Sequence, residues 1–235
     1  PGFVFSSPSP DQMIAASEKV EGGAGILFIV KNYSGDIMNF QMASEMITGA
    51  SETVLINDDV AVEDSSYTTG RRGVAATVIV EKIVGSLAET GGSLKECKIL
   101  GDKVNRNSGS MGVAFSSCTV PAAGKPTFKL GSDEMEFGVG IHGEPGRRRD
   151  KVQPAQEITN ELLGAIIEDL KLENNGEILL FVNGMGGTPL TELYLLYDNA
   201  KKTLDNKNIK IARSLVGNYC TSLEMQGASL TITKL

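Results

Sequence analysis

One histidine, His142, occurs in the 235 residues. Chemistry by this chain must therefore use that imidazole, carboxylates, hydroxyls or lysine, and a His-rich metal centre, a two-histidine acid/base pair and a zincin helix are excluded. His142 sits in Gly140-Ile141-His142-Gly143-Glu144-Pro145-Gly146, where an apolar run passes into a turn. Flanking glycines leave the ring open to a ligand, and Glu144 is near enough to order the loop; a purely structural histidine is the competing reading. A second dense stretch is Lys31-Asn32-Tyr33-Ser34-Gly35-Asp36, which brings a cation, an amide, hydroxyls and a carboxylate to the point where a strand hands over to a helix. That junction is the usual ligand crevice of open α/β sheets, and these groups suit a polyol-like ligand. On spacing alone, Asp36 could equally serve the positive helix N-terminus and Lys31 the solvent. Asn57-Asp58-Asp59 lies at another strand end. Its carboxylates suggest Mg²⁺, but adjacent strand residues diverge to opposite faces, which weakens the metal reading.

Other patterns carry less. Gly138-Val139-Gly140-Ile141-His142-Gly143 satisfies GxGxxG, yet Pro145 and Gly146 follow where a dinucleotide fingerprint requires a helix N-terminus. Neither a P-loop nor a GxSxG serine motif is present. Arg147-Arg148-Arg149-Asp150 reads as a solvated loop. With 22 basic and 29 acidic residues, the net charge of −7 lacks the footprint of a phosphate-backbone binder, so nucleic acid is not an expected partner. Cys97, Cys118 and Cys220 are odd in number and widely spaced, which fits buried thiols in a reducing cytoplasm. No apolar run reaches the ~18 residues of a membrane helix, so no membrane association is expected. The 27 glycines exceed the usual ~7% and imply many turns or close backbone approaches.

These residues need elements to position them. Gly25 to Val30 reads as a buried strand, Ser34 as a cap for a helix through Met46, and Thr53 to Ile56 as a second strand. Helices follow from Val74 to about Thr90 and from Leu94 to Val104, the latter apolar at three- or four-residue spacing. Beyond Asn105, strands are expected over Met111–Val120, Pro126–Leu130 and Glu134–Ile141. Next come a helix (Pro154–Leu170), a strand (Ile178–Asn183), a helix with Pro189 at its first position (to Leu204) and two final strands. The expected fold class is α/β with two domains: an N-terminal α/β domain with a largely parallel sheet over 1–108, and a C-terminal α+β domain with a mixed sheet over 109–235 that carries His142.

Several segments together resemble the dihydroxyacetone kinase family, specifically its substrate-binding K subunit of the bacterial, phosphotransferase-system-dependent type. In order, they are Lys31–Asp36 with Met38-Asn39-Phe40, Asn57–Val62, Thr69-Gly70-Arg71-Arg72-Gly73-Val74-Ala75, Cys118–Pro126, Gly140–Gly146, Val182–Gly186 with Thr188–Tyr194, and Gly217–Leu223. The resemblance implies that His142 adds to the carbonyl of dihydroxyacetone as a covalent hemiaminal. It implies that Asp36 hydrogen-bonds the hydroxyl to be phosphorylated and helps remove its proton, and that Lys31 binds substrate beside it. Covalent capture would select a ketone over glycerol, which has no carbonyl.

It further implies that this chain binds no cofactor, with ATP or ADP and Mg²⁺ held by a separate all-helical L subunit that a phosphotransferase-system protein recharges. The K subunit is expected to be a cytoplasmic homodimer. The alternative is a K-like dihydroxyacetone sensor that activates a transcription regulator without catalysis. Family members carry a glycine-rich stretch ending in a second histidine upstream of the segment matching Phe3–Pro8. The sequence is therefore expected to lack its N-terminal portion, to be a few residues short over Thr48–Glu52, and to stop early at its C-terminus.

Overall fold

The computed structural model describes residues 3–61 and 68–235. In chain order these form α1 (Pro10–Val20), β1 (Ile26–Lys31), α2 (Ser34–Met46), β2 (Ser51–Ile56), α3 (Ala76–Glu89), α4 (Leu94–Arg106), β3 (Ser108–Ala114) and β4 (Glu134–Phe137), followed by β5 (Arg148–Lys151), α5 (Ala155–Leu170), β6 (Glu177–Gly184), α6 (Leu190–Asn206), β7 (Lys210–Gly217) and β8 (Gly227–Lys234). The strands make two sheets. β1 and β2 are parallel, with Phe28 opposite Thr53; the larger sheet is mixed, in the order β5-β4-β3-β8-β6-β7. No helix among the described residues is long and apolar enough to cross a membrane.

Side-chain alternation along the strands stacks the layers. In β6, Ile178, Leu180 and Val182 join the core beneath α5 and α6, while Leu179 and Phe181 point the other way, into the core shared with α3 and α4. β1 divides likewise: Leu27 and Ile29 face the α3/α4 core, and Ile26, Phe28 and Val30 pack with Phe40 of α2. The pair α3/α4 thus lies between the two sheets, and its core draws residues from both sides of residue 108.

Local chemistry sets the helix ends. α4 starts at a capping box in which Ser93 Oγ accepts from the Glu96 N–H and Glu96 accepts from the Ser93 N–H. α3 has no local side-chain cap; Asp58 supplies one from a distance, Oδ1 accepting from Val74 N–H (2.7 Å) and Oδ2 from Ala76 N–H (2.8 Å). Tyr33, not Ser34, occupies the N-cap of α2, and Pro189 is the N-cap of α6 instead of its first helical residue.

Several other elements differ from expectation. α1 lies in a stretch for which no helix was expected. The strand expected over Met111–Val120 is β3, three residues earlier at its start and ending at Ala114. Pro126–Leu130 is loop, with one isolated bridge between Thr119 and Pro126 and local bonds from Thr127 N–H to the Cys118 carbonyl and from Phe128 N–H to Ser117 Oγ; Pro126 has no N–H to give a ladder. β4 stops at Phe137, where Gly138 takes φ +74° and a Cβ would come 2.6 Å from that of Ala61.

The largest correction is the arginine run. Arg148–Lys151 is strand β5, antiparallel to β4 at the sheet edge. Its charge belongs there: Arg148 lies over the Phe137 ring and pairs with Glu161, and an edge strand bearing charges resists unwanted pairing. Just before it, the Arg147 guanidinium donates to the carbonyls of Val60 and Ala61.

Candidate functional site

Lys31 is the last residue of β1, and Asp36 is three residues past the N-cap of α2. The helix N-terminus favours the Asp36 carboxylate. Across from them, the loop 138–146 carries His142 and Glu144 between β4 and β5. A cavity of about 1130 Å³ is lined by Lys31, Ser34, Asp36, His142 and Glu144, with Thr77 and Glu81 of α3 and Thr221 beyond β7. It lies at the carboxyl ends of β1 and β7, where α/β sheets place their crevices. The two stretches singled out from sequence therefore share one cavity.

Asn57-Asp58-Asp59 is not part of it. Both carboxylates are buried and taken by protein partners. Besides capping α3, Asp58 accepts from the Ser110 hydroxyl; burial pushes its carboxyl up, against the pull of those donors. Asp59 pairs with Arg72 at 2.6 Å and accepts from Ala61 N–H. Burial pushes Asp59 up to about 6, while the Arg72 charge pulls it down. The Mg²⁺ option at this pair gives way to a helix cap and an ion pair.

Glu144 defines the state of His142. Its Oε2 accepts from the His142 backbone N–H at 2.9 Å, and its Oε1 lies 3.0 Å from His142 Nδ1. Burial would raise the Glu144 carboxyl, but the hydrogen bond and charge of His142, its own backbone and the Arg72 charge outweigh it and hold the group at about 2. An ionised carboxylate only accepts, so Nδ1 carries the proton of this bond, and Nε2 is the ring nitrogen that Glu144 does not engage.

Two aromatic rings fix the imidazole plane. Phe5 and Tyr33 meet it edge-on, at centroid distances of 4.9 and 4.7 Å. The ring is 29% exposed, enough to meet a ligand. The Tyr33 hydroxyl is buried beside Glu144. Burial, with Glu144 beside it, pushes that phenol far above its usual range and keeps it neutral. Gly143 turns the loop at φ +78°, and a Cβ there would meet Thr127 Oγ1 at 2.2 Å.

The cavity thus combines a histidine bonded through Nδ1 to an ionised carboxylate with a second carboxylate at a helix N-terminus. The Dak1 domain family profile matches residues 1–235. The chain belongs to the Dak1 domain family.

Among Dak1 relatives, it is 49% identical over 237 residues to the PTS-dependent dihydroxyacetone kinase 1, dihydroxyacetone-binding subunit DhaK, of Listeria innocua, covering 100% of this chain and 72% of that protein. The dihydroxyacetone kinase of C. freundii superposes with a TM-score of 0.84 at 32% identity, over 100% of this chain and 43% of that one. The dihydroxyacetone kinase operon co-activator Dha-DhaQ superposes with a TM-score of 0.88 at 32% identity, over 97% of this chain and 71% of that one.

Sequence reasoning missed the parts of the site that carry no local signature. Phe5 and Tyr33 were not assigned to the imidazole, and Arg72 had no role although its motif was noted. Arg72 is fully buried. Nothing in Thr69-Gly70-Arg71-Arg72-Gly73 says which arginine turns inward.

Proposed function

We propose that this Dak1 chain holds dihydroxyacetone for phosphorylation, as the substrate-binding subunit of a dihydroxyacetone kinase. The observation that carries this reading is the shared cavity of Lys31, Asp36 and His142, with His142 Nδ1 tied to Glu144. Nε2 attacks the ketone carbon and a C–N bond forms. The carbonyl π pair moves to oxygen, which takes a proton from solvent, leaving a hemiaminal whose imidazolium charge is offset by Glu144. Glycerol offers no electrophilic carbon, so it is rejected by chemistry instead of shape.

Asp36 then takes the proton of the hydroxyl that attacks the phosphoryl donor, and Lys31 binds a substrate oxygen beside it. A separate L subunit brings the nucleotide and Mg²⁺, recharged through a phosphotransferase system, so this chain supplies position and proton transfer. The reading also places the protein in the cytoplasm as a homodimer.

Incubation with dihydroxyacetone labelled at the carbonyl carbon should convert its ¹³C resonance from a ketone to a saturated carbon bound to nitrogen. Adding an L subunit and its phosphoryl donor should yield dihydroxyacetone phosphate. A ligand bound with its ketone intact would remove the covalent step.

The similarity to a co-activator supports a second reading, in which the same adduct is a signal passed to a transcription regulator. Adduct formation with no turnover beside any L partner, together with binding to a regulator, would select it.

A further inference from the structure

Arg72 reaches the site from behind. Its side chain is wholly buried, and its guanidinium points three ways: Nε to Asp59 Oδ2 at 2.7 Å, Nη2 to the Gly138 carbonyl at 2.6 Å and Nη1 to the Pro145 carbonyl at 3.2 Å. Gly138 and Pro145 are the two stems of the loop that presents His142 and Glu144. The same guanidinium also faces Glu144. A Cβ built on Gly140 would sit 2.0 Å from Glu144 Oε2 and 2.8 Å from Arg72 Nη1, so that position must be glycine for the two to approach. Asp59, Arg72, Glu144 and His142 thus form a continuous line of charged and polar groups from the interior to the cavity.

We propose that Arg72 is the positioning residue for His142, gripping both stems of its loop so that the Glu144 carboxylate is held aimed at Nδ1. A planar fork can satisfy these separate acceptors at once; a lysine, with one nitrogen on a flexible stem, cannot. The inference rests on the reading of His142 as nucleophile for its effect on covalent capture. The positioning itself is present in the ligand-free protein.

The imidazole ¹⁵N spectrum of tag-free protein labelled at histidine, with the His142 signals assigned by their loss in His142→Ala, reports this ring. The wild type should show, in its neutral form, the tautomer with the proton on Nδ1. In Arg72→Lys both nitrogens should move toward the average of the two tautomers, and adduct formed from labelled dihydroxyacetone at fixed concentration should fall about tenfold or more.

Removing one member of a buried ion pair can unfold a protein, so Asp59→Asn with Arg72→Gln provides a second variant. It neutralises both members of the Asp59–Arg72 pair together, so neither is left as an unpaired buried charge, and it still removes the guanidinium that holds the loop stems. The same tautomer change is expected there. A folded variant of either kind that keeps the wild-type tautomer overturns the proposal. A tautomer change in a protein whose wild type forms no adduct supports Arg72 as positioning residue and overturns the covalent reading instead.

Discussion

Glu144 holds His142 at two points, its backbone N–H and its Nδ1, with one carboxylate oxygen for each. A residue two positions away thereby fixes where the loop runs and which ring nitrogen is free.

Glu144→Gln should keep the loop bond to the His142 N–H, since an amide oxygen still accepts, but lose the preference for a proton on Nδ1. Covalent capture measured by ¹³C NMR should drop by on the order of tenfold, while His142→Ala should abolish it. Unchanged capture in Glu144→Gln would mean the carboxylate does not control the ring.

Asp36→Asn separates capture from transfer. The adduct on His142 should form as in the wild type, because Asp36 does not bond that ring, while phosphoryl transfer in the presence of an L subunit should fall by roughly 10²–10⁴-fold. The loss should be in kcat, with KM little changed; a change confined to KM would make Asp36 a binding residue only.

Glu144 also predicts an acid-limb effect on stability. Its folded pKa of about 2 lies below the ordinary value of 4.5, so its contribution is present above pH 4.5 and is lost as pH falls toward 2. At about 1.4 kcal/mol per unit, the loss amounts to up to ~3 kcal/mol. Denaturant titrations across this window should show a steeper decline for wild type than for Glu144→Gln. Parallel curves would place the charge of Glu144 outside the folding balance.

Asp58→Ala tests the remote helix cap. It strips the Val74 and Ala76 N–H groups and the Ser110 hydroxyl of a buried acceptor, at a cost of about 2–4 kcal/mol. Thermal unfolding should show a clear drop in Tm. Near-wild-type stability would mean that solvent reaches these donors.

The periodic elements were legible before folding. Continuous apolar runs such as Ile26–Val30 and Ile178–Val182 announced strands buried on both faces, and the spacing of Leu94, Cys97, Leu100 and Val104 announced a helix. Legibility failed where a segment's form depends on distant partners. Arg148–Lys151 looks like a charged loop until β4 offers it an edge and Glu161 a counter-charge. Pro126–Leu130 has strand-like composition, but its Thr127 and Phe128 N–H groups bond locally to the Cys118 carbonyl and Ser117 Oγ instead of entering a sheet ladder.

The site divides in the same way. Residue types and their order along the chain determined which groups are available: one imidazole, the Lys31–Asp36 cluster and the glycine-flanked loop around His142. Only the tertiary structure brought Lys31, Asp36 and His142 into one cavity, gave Asp58 and Asp59 to a helix cap and an ion pair, and turned Arg72 rather than Arg71 into the interior. The reason is physical. Hydrophobic periodicity is encoded locally, whereas the partner of a buried charge is chosen by whichever groups the packed layers leave beside it.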